Sequence, residues 1–410
     1  MTNLKLVLPC ALLLLFSACK KDNNATTPVI KDPVSVDNVT KVVEMNQMIG
    51  WSLFNQEHLN KPDENILISP FSIQTALFMA SNGAKGNTLD EIQNTMGCSG
   101  CILSDLNTLH KDLTTLLTEQ SGSPSVTVAN GFFYDENRVK VKQPFLSTLS
   151  AFYECGAENA NFNDEQAALN KINGWVKSNT NQKIDKILDK IKPLDVAFLI
   201  NALHFKADWA TGFAPQLTNS APFTKSNGSS ILVDFVSADR LFSFVQSDQY
   251  NLVDIPFKDS TFAVSLIQAS GNNMNSNWHT TLTPSLWKNL YNGIQYSRAI
   301  VYFPKMKLTY ENDLIKSLQN LGVKDAFSDR NADFTDLGTA DNNIFINQIK
   351  HKSVLEIDEK GAEGAAVTSI GFGVTSIPPT FGFNKPFVLV LRHIPTNTMI
   401  FTGYIADPSF

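Results

Sequence analysis

The side chains that could carry acid–base or nucleophilic chemistry are spread singly along this chain of 410 residues. The histidines form no His-x-His pair and no His-Glu-x-x-His zinc helix, and no set of Cys and His has the spacing of four zinc ligands. Gly97-Cys98-Ser99-Gly100 departs from the Gly-x-Ser-x-Gly turn that carries a hydrolase serine. We therefore expect no enzyme activity, no metal and no cofactor. The six histidines are His58, His110, His204, His279, His351 and His393.

Two cysteines have a spacing that suggests redox chemistry. Cys98-Ser-Gly-Cys101 matches the spacing of redox-active dithiols, but it does not follow the strand of a βαβ unit. A small local disulfide and an incidental pair are both open interpretations, and both rank ahead of a thiol enzyme. Cys155 is left over, and a free buried cysteine behaves as a small apolar residue. Five cysteines in all do not make a disulfide scaffold.

The composition is that of a globular protein, with 43% hydrophobic and 18% charged residues. The chain has 33 Lys and Arg against 39 Asp and Glu, which gives a formal net charge of −6. No stretch interleaves basic and aromatic residues. Nucleic acid is therefore excluded as a partner.

The first 18 residues have the features of an export signal. A lysine precedes the apolar run Leu6–Phe16, which is too short to cross about 30 Å of hydrocarbon. Leu15-Phe16-Ser17-Ala18-Cys19 resembles the lipobox of bacterial lipoproteins, in which the cysteine is lipidated. An ordinary secretory signal that happens to contain Cys19 is the alternative. We expect a lipoprotein signal peptide over residues 1–18, a flexible tether over 19–38 and a lipid anchor in the outer membrane, with cell-surface exposure left open.

Hydrophobic periodicity predicts mostly helices in the first half of the remaining chain. Val39–Leu59 carries apolar residues at helical spacing, and Pro70 opens a second, apolar helix. Thr88 is expected to cap a third helix, with Glu91 as its reciprocal partner three residues later. The second helix is predicted over Phe71–Met79, and two further helices over Pro144–Phe152 and Glu165–Thr180.

Strand-like apolar runs dominate the second half of the chain. Helices followed by strands are typical of an α+β fold and not of a doubly wound sheet. No repeat or linker interrupts residues 39–410, so we expect a single domain there. The predicted strands are Val126–Tyr134, Val196–Phe205, Phe242–Val245, Phe262–Gln268, Ala299–Phe303, Ile344–Glu356, Phe387–Arg392 and Met399–Tyr404.

The segment Glu359–Pro379 has an unusual composition. From Gly361 to Ile377 it holds one charged residue, Glu363, among mostly small or β-branched side chains. A flexible loop between two strands is the simpler interpretation, but a structureless loop of this length in a compact domain is usually functional or disordered. As a strand, it would place one set of residues on a face suited to burial, namely Ala362, Gly364, Ala366, Thr368, Ile370, Phe372 and Val374.

Several separated motifs stand around this segment and before it in the chain. They are Asn65-Ile-Leu-Ile-Ser-Pro-Phe-Ser, Asn201-Ala-Leu-His-Phe-Lys-Ala-Asp-Trp-Ala-Thr-Gly-Phe, Phe303-Pro-Lys-Met, Glu356-Ile-Asp-Glu-Lys-Gly-Ala-Glu-Gly-Ala-Ala, Ser376-Ile-Pro-Pro, Phe383-Asn-Lys-Pro-Phe and Gly403-Tyr-Ile-Ala-Asp-Pro. In this order they resemble the serpins, the serine protease inhibitor superfamily. The resemblance extends over about Val39–Phe410.

The resemblance implies a serpin fold of three β-sheets and about nine helices, with an exposed reactive-centre loop over about residues 359–379. It also implies a mechanism, in which a target protease forms an acyl-enzyme ester with the loop and the cut loop inserts as a strand into the central sheet. The family's spacing from hinge to scissile bond places the reactive bond between Thr375 and Ser376. The inserted strand, Ala362–Thr375, would span about 46 Å at roughly 3.3 Å per residue.

Other residues match functional regions of the family. Trp209 matches the breach, the point where insertion begins. Gly364 departs from the alanine that is more usual in the hinge. The shutter, a hydrogen-bonded group beneath the opening sheet, is matched by Ser69, Asn201 and His351, with Ser72 nearby. The hinge is matched by Glu359, Gly361, Ala362, Glu363, Gly364, Ala365 and Ala366.

The residues before the reactive bond predict the class of target protease. Thr375 suits the shallow pocket of elastase-like serine proteases, Val374 suits a cut shifted by one residue, and Phe372 suits a chymotrypsin-like pocket. No Lys or Arg lies between Lys360 and Lys385, which disfavours trypsin-like targets. Papain-like cysteine proteases also form acyl-enzymes and remain open.

The expected protein is thus a monomeric inhibitor of target proteases, of host or bacterial origin. A non-inhibitory binding lipoprotein that uses the serpin fold at the cell surface is the alternative function.

Overall fold

The structure is a computed structural model, and it describes residues 35–118, 123–271, 278–362 and 378–409. Within these residues most helices come before residue 180 and most strands after it. The expected α+β class is therefore confirmed. The helices are α1 (Thr40–Asn60), α2 (Pro70–Ser81), α3 (Gly86–Thr95), α4 (Leu103–Thr118), α5 (Gln143–Tyr153), α6 (Glu165–Asn179), α7 (Pro284–Asn292) and α8 (Ile315–Asn320).

The described strands range from two residues to seventeen. They are β1 (Ile66–Ile68), β2 (Ser125–Tyr134), β3 (Val139–Val141), β4 (Gly156–Asn159), β5 (Ala197–Asp208), β6 (Asn219–Thr224), β7 (Ser230–Gln246), β8 (Tyr250–Pro256), β9 (Phe262–Ala269), β10 (Gln295–Pro304), β11 (Met306–Asp313), β12 (Gly338–Ala340), β13 (Lys350–Ile357), β14 (Gly361–Ala362), β15 (Thr380–Gly382), β16 (Phe387–His393) and β17 (Thr398–Ile405).

The largest sheet has nine strands in the order β1-β17-β16-β9-β8-β7-β10-β15, with β6 paired to β7. Every residue of β16 and β17 is buried, and α1 and α2 pack on β17. Ser69 begins α2, because its hydroxyl accepts the Ser72 backbone N–H at 3.3 Å and Pro70 occupies the first helical position, where no N–H is needed.

Two further sheets, one of β4, β2, β5 and β14 and one of β13 and β11, are together called the central sheet below. Strand β2 pairs with β4 and β5, β14 pairs with β5, and β11 pairs with β13. Among the described strands no ladder joins β5 to β13. We call the gap between β5 and β13 the slot. It divides the central sheet into two hydrogen-bonded parts, and a separate small pair, β3 and β12, lies outside both.

One buried carboxylate fastens β11 to the helical layer. Glu57 of α1 is fully buried, and it accepts hydrogen bonds from the hydroxyls of Tyr310 and Ser317 and from the Asn312 amide at 2.6 Å. Three donors satisfy the carboxylate, so its burial is tolerated. This contact ties α1 to β11 and α8, on the far side of the slot from β5.

Two local predictions are wrong. Helix α3 begins at Gly86, because Thr88 and Glu91 are engaged by distant backbone: the Thr88 hydroxyl accepts the Asp333 N–H at 2.9 Å, and Glu91 accepts the N–H groups of residues 324 and 325. The strand predicted over Ile344–Glu356 starts only at Lys350, since the preceding residues bond elsewhere; Ile346, for example, donates to the Ala326 carbonyl at 2.8 Å.

Of the interpretations left open for Cys98 and Cys101, the structure agrees with a small local disulfide. Cys98 and Cys101 form a disulfide, and Cys155 is free and buried, with burial raising the pKa of its thiol to about 12. A thiol that stays protonated at neutral pH is a poor nucleophile, so Cys155 packs as an apolar residue. In the described parts of the chain, no helix is both long and apolar enough to cross a bilayer.

Five buried histidines predict loss of stability in mild acid. Burial lowers the pKa of His110 and His279 to about 3 and of His351 and His393 to about 4, and it also lowers the pKa of His58 despite the attraction of Asp63. Each unfolded histidine binds a proton near pH 6.5 that the folded protein does not, so stability is complete above that pH and falls below it. We expect His110, His279, His351 and His393 each to remove about 1.4 kcal/mol per pH unit as the pH falls from 6.5 towards 4, and His58 to act in the same direction.

The measurement is the free energy of unfolding in urea at several pH values. His110→Gln should lower the slope between pH 6.5 and 5 by the contribution of one histidine. A wild-type stability that does not change with pH in this window would contradict the prediction.

Candidate functional site

The C-terminal end of β5, which we call the upper end of the slot, leads into a cluster of aromatic side chains around Trp209. The Trp209 side chain is buried, and its ring stacks on Phe257 with 4.5 Å between centroids and an angle of 1°. Phe213 and Phe303 meet the indole edge-on at 6.0 and 6.3 Å. Aromatic contacts of this kind fix the position of the ring. The predicted breach residue is thus a rigid support at the point where β5 ends.

Trp209 and Phe213 hold three consecutive carbonyl groups of the hinge. The Trp209 indole N–H donates to the carbonyl of Asp358 at 3.0 Å, and the Trp209 backbone N–H donates to that of Lys360 at 2.8 Å. The Phe213 N–H donates to the carbonyl of Glu359 at 2.8 Å. These bonds hold the chain that leaves β13 against the end of β5.

The side chain of Glu359 anchors the hinge to the turn between β10 and β11. Its carboxylate accepts the Thr218 hydroxyl at 2.9 Å and lies 3.2 Å from the Lys305 ammonium group. Burial opposes ionisation of this carboxyl group, but the hydrogen bonds from its own backbone N–H, Thr218 and Lys305 outweigh it and lower its pKa. Glu359 is therefore ionised at neutral pH and paired.

Gly361 and Ala362 form the first step of a strand beside β5. They are β14, and they pair antiparallel with Asp208 and Ala207. Gly361 has φ +133°, and a Cβ added there would lie 2.5 Å from the Ala207 carbonyl oxygen, so only glycine fits. The Asp358 carboxylate accepts the Gly361 N–H at 3.1 Å and so closes the turn.

The remaining predicted loop and anchor residues lie outside the described residues and stay predictions. They are Cys19, Glu363, Gly364, Ala365, Ala366, Phe372, Val374, Thr375 and Ser376.

Three of the four predicted shutter residues share one hydrogen-bonded group. The Ser69 backbone N–H donates to Nε2 of His351 at 3.1 Å, and the Ser69 hydroxyl donates to the Ser72 hydroxyl at 3.0 Å. Nε2 must be unprotonated to accept, and burial lowers the pKa of His351 to about 4, so the ring is neutral. Ser353, two residues along β13, also contacts Nε2 at 2.8 Å.

Asn201 lies on β5 and is not bonded to this group. Its amide Nδ2 donates to Asn130 of β2 at 2.7 Å, and the Asn130 amide donates to the Tyr153 carbonyl of α5 at 2.7 Å. The Asn201 Oδ1 atom is buried and has no partner among the described residues. Asn201 and His351 line a common void of about 30 Å³. The two sides of the slot therefore face each other here without a direct bond.

A cavity of about 700 Å³ lies beneath the lower half of the slot. Its lining is mostly apolar and comes from α2, from β2 and β5, and from the chain before β13. Ile73, Phe132, Leu199 and Ile346 are examples of these lining residues. Strand residues that are buried in the upper half of β5, such as Phe205, have half-buried counterparts in the lower half, such as Leu199. The core is thus incompletely filled along the slot.

Several site residues were not predicted from the sequence. Ser353 could have been found, because it follows His351 by two and therefore shares its strand face. Lys305 stands inside the Phe303-Pro-Lys-Met motif, but no local signal assigns it to Glu359. Thr218 and Asn130 are polar residues without any pattern. In the described parts of the chain, no three His, Cys, Asp or Glu side chains form a group that could hold a metal ion.

Gly361→Ala should disrupt the hinge. The added Cβ would meet the Ala207 carbonyl oxygen, so the β14–β5 pairing and the Trp209–Lys360 bond should weaken, with a loss of stability above the roughly 1 kcal/mol expected for a glycine at positive φ. Hydrogen exchange of the Trp209 amide measures the bond directly. Gly228→Ala is the matched control, because Gly228 has φ +82° but no atom within 4 Å of an added Cβ. Equal effects of the two changes would show that the hinge contact is unimportant.

Comparison with known proteins gives one consistent result. The family model for serpins, described as serine protease inhibitors, matches residues 44–408. Iripin-1 of Ixodes ricinus is 31% identical over 376 residues, which cover 89% of this chain and 94% of that protein. Human glia-derived nexin is 28% identical over 394 residues, covering 90% and 94% of the two chains.

Solved structures agree with this result. The thermophilic serpin tengpin in its native state has a TM-score of 0.82 and 30% identity, over 90% of this chain and 94% of that one. Human thyroxine-binding globulin, in complex with thyroxine, has a TM-score of 0.82 and 25% identity, over 91% and 100% of the chains. The serpin fold expected from the motifs is thus confirmed. The chain belongs to the serpins, a family of protease inhibitors and not of enzymes.

Proposed function

We propose that this serpin is an inhibitory one that traps an elastase-like serine protease after cleavage between Thr375 and Ser376. The cut loop would insert into the slot as a new strand before the acyl-enzyme ester is hydrolysed. The observation that carries the proposal is the hinge, because Gly361 and Ala362 already pair with the upper end of β5 and point the chain into an unpaired slot.

The pairing of β14 with β5 sets a register for the inserted strand. Continuing the pairs Gly361–Asp208 and Ala362–Ala207 downwards brings Glu363 opposite Lys206. Glu363 is the only charged residue between 361 and 377, and Lys206 is an exposed position of β5. Opposite charges across neighbouring strands stabilise a ladder. The register therefore gives the single charge of the loop a favourable neighbour.

The same register fits the inward-facing side chains to the cavity. Ile370 falls opposite Leu199 and Phe372 opposite Ala197, and both β5 residues line the 700 Å³ cavity. Burying two large apolar side chains there would contribute roughly 1.5–3 kcal/mol each. The empty space beneath the slot is thus matched by the loop's largest apolar residues.

The outward-facing side chains meet a different constraint. In the lower half, Gly371 falls opposite Phe198 and Ser369 opposite Ile200, both buried in the cluster formed with α6 and the chain that follows it. An inserted strand must therefore pass beneath α6 and the chain that follows it. Small residues on the outward face satisfy that requirement, which supports insertion along the whole slot.

The proposal also includes the class of target protease and the location of the protein. Thr375 favours elastase-like enzymes, and papain-like cysteine proteases are the second class to test. The export signal and Cys19 support an outer-membrane lipoprotein; Cys19→Ser should move the protein from the membrane fraction to the soluble fraction.

The direct test is a mixture of the purified protein with elastase on a denaturing gel. We expect an SDS-stable covalent complex, together with a fragment cut at Thr375–Ser376 and identified by mass. The cleaved protein should resist denaturation better than the intact one, since insertion completes the central sheet. Clean cleavage without complex, by elastase-like and papain-like enzymes alike, would contradict inhibition and favour the non-inhibitory binding alternative.

A pair of loop variants tests the register. Thr368 would face inwards opposite Asn201, so Thr368→Arg should bury a charge without a partner, slow insertion and raise the number of inhibitor molecules consumed per protease by about tenfold or more. Glu363→Gln would sit outwards opposite exposed Lys206 and should change this ratio less than about twofold. Equal effects would overturn the register.

A further inference from the structure

The lower end of the slot is closed by side chains from both of its sides. Asp195 precedes β5, and residues 344–349 precede β13, so the two segments stand at the same end of the central sheet. The Asp195 carboxyl group is buried, with a residue exposure of 3%. A buried carboxylate needs partners, and it finds some of them across the slot.

Three hydrogen bonds cross from one side of the slot to the other. The Asn347 amide Nδ2 donates to Oδ1 of Asp195 at 2.5 Å, and the Lys192 ammonium group donates to the Asn347 carbonyl at 3.2 Å. The Gln348 amide lies 3.4 Å from the second Asp195 oxygen. We call the contacts among Lys192, Asp195, Asn347 and Gln348 the lower latch.

The Asp195 side of the latch is held in place from behind. The Lys192 backbone N–H donates to Asp195 Oδ2 at 2.7 Å, and an Arg138 guanidinium N–H donates to the Asp195 carbonyl at 3.0 Å. This half of the latch is therefore rigid without Asn347. Removing the Asn347 amide should weaken the latch by its shortest bond without displacing Asp195.

The register of the inserted strand runs directly into this contact. Continuing the β14–β5 pairs places Phe372 opposite Ala197, Val374 opposite Asp195 and Thr375 opposite residue 194. A strand lies about 4.8 Å from each neighbour, so a strand between Asp195 and Asn347 would separate them by roughly twice that distance. Their 2.5 Å hydrogen bond and an inserted Val374 therefore exclude each other. A strand that ends at Phe372 stops before the latch.

We propose that the lower latch must open for the loop to insert beyond Phe372, so that Asp195 and Asn347 control the last step of insertion. The proposal rests on the loop insertion put forward above, and it assigns a role in that step to residues of the chain far from the hinge and shutter. A cut after Thr375 would require opening of the latch, whereas a cut after Phe372 would not.

The test compares the gain in stability on cleavage between two cut positions. Wild type and Asn347→Ala are each cut by an elastase after Thr375 and by a chymotrypsin-like protease after Phe372, with both positions identified by mass. The midpoint of denaturation in guanidinium chloride is measured before and after each cut. Intact Asn347→Ala has already lost the shortest bond of the latch, so its gain on the Thr375 cut should exceed that of wild type. Its gain on the Phe372 cut should equal that of wild type, whose latch then stays closed.

Asn343→Ala is the matched control. The Asn343 amide donates to the Ala332 carbonyl at 2.9 Å on the same segment, and this bond does not cross the slot. Its loss should lower the midpoints of intact and cut protein alike and leave both gains unchanged. Asp195→Asn is a second latch variant, which keeps the volume of the side chain and should behave as Asn347→Ala does.

Each outcome decides the matter. A larger gain confined to the Thr375 cut in the latch variants supports the proposal. Equal gains in wild type and latch variants, or a larger gain at both cuts, overturn the latch while leaving loop insertion intact. A wild type that gains no stability at either cut overturns loop insertion and the latch together.

Discussion

The unpaired edges of β5 and β13 are the constraint on which the rest of this structure depends. A strand edge carries backbone N–H and C=O groups that favour a partner, and such an edge usually pairs with whatever strand can reach it. Here the two edges belong to neighbouring hydrogen-bonded sheets and line a partly empty core. Among the described residues, hydrogen bonds hold or link the two edges at a few positions along the slot.

These ties act at three heights. At the top, Trp209 and Glu359 hold the hinge; in the middle, His351 fastens β13 to the start of α2; at the bottom, Asp195 meets Asn347 across the slot. Each hydrogen bond contributes about 1 kcal/mol net, so the ties together contribute a few kcal/mol. A strand of 14 residues, bonded on both edges, would gain on the order of 10 kcal/mol. In the proposed insertion, these ties would therefore affect the rate of insertion more than its equilibrium.

The sequence predicts this arrangement unevenly, for physical reasons. Long apolar runs such as those of β5, β9 and β16 are predicted because burial on a sheet leaves a local pattern. The breach and shutter positions are predicted from motifs that match a family. The residue type of Trp209 alone would not indicate a functional role. The partners of Glu359 could not be predicted, since Thr218 and Lys305 reach it from elsewhere in the chain and polar pairs of this kind leave no periodic trace. The prediction that Thr88 caps α3 is wrong for the same reason, because the Thr88 hydroxyl instead accepts a backbone N–H from residue 333, which is distant in the chain.

The register couples target choice to the mechanics of the fold. A protease selects a bond by the side chain before it, and the position of that bond sets how far down the slot the strand can reach. Phe372 is the largest apolar side chain of the loop, and opposite Ala197 it would fill the cavity after either cut. In the proposed mechanism the protease is still esterified to the last residue of the strand when the loop inserts. A cut after Phe372 would therefore carry the protease only to the level of Ala197, whereas a cut after Thr375 would carry it three residues, or about 10 Å, further down the slot. The register would thus favour proteases with small specificity pockets, because their cut gives the longer displacement of the trapped enzyme.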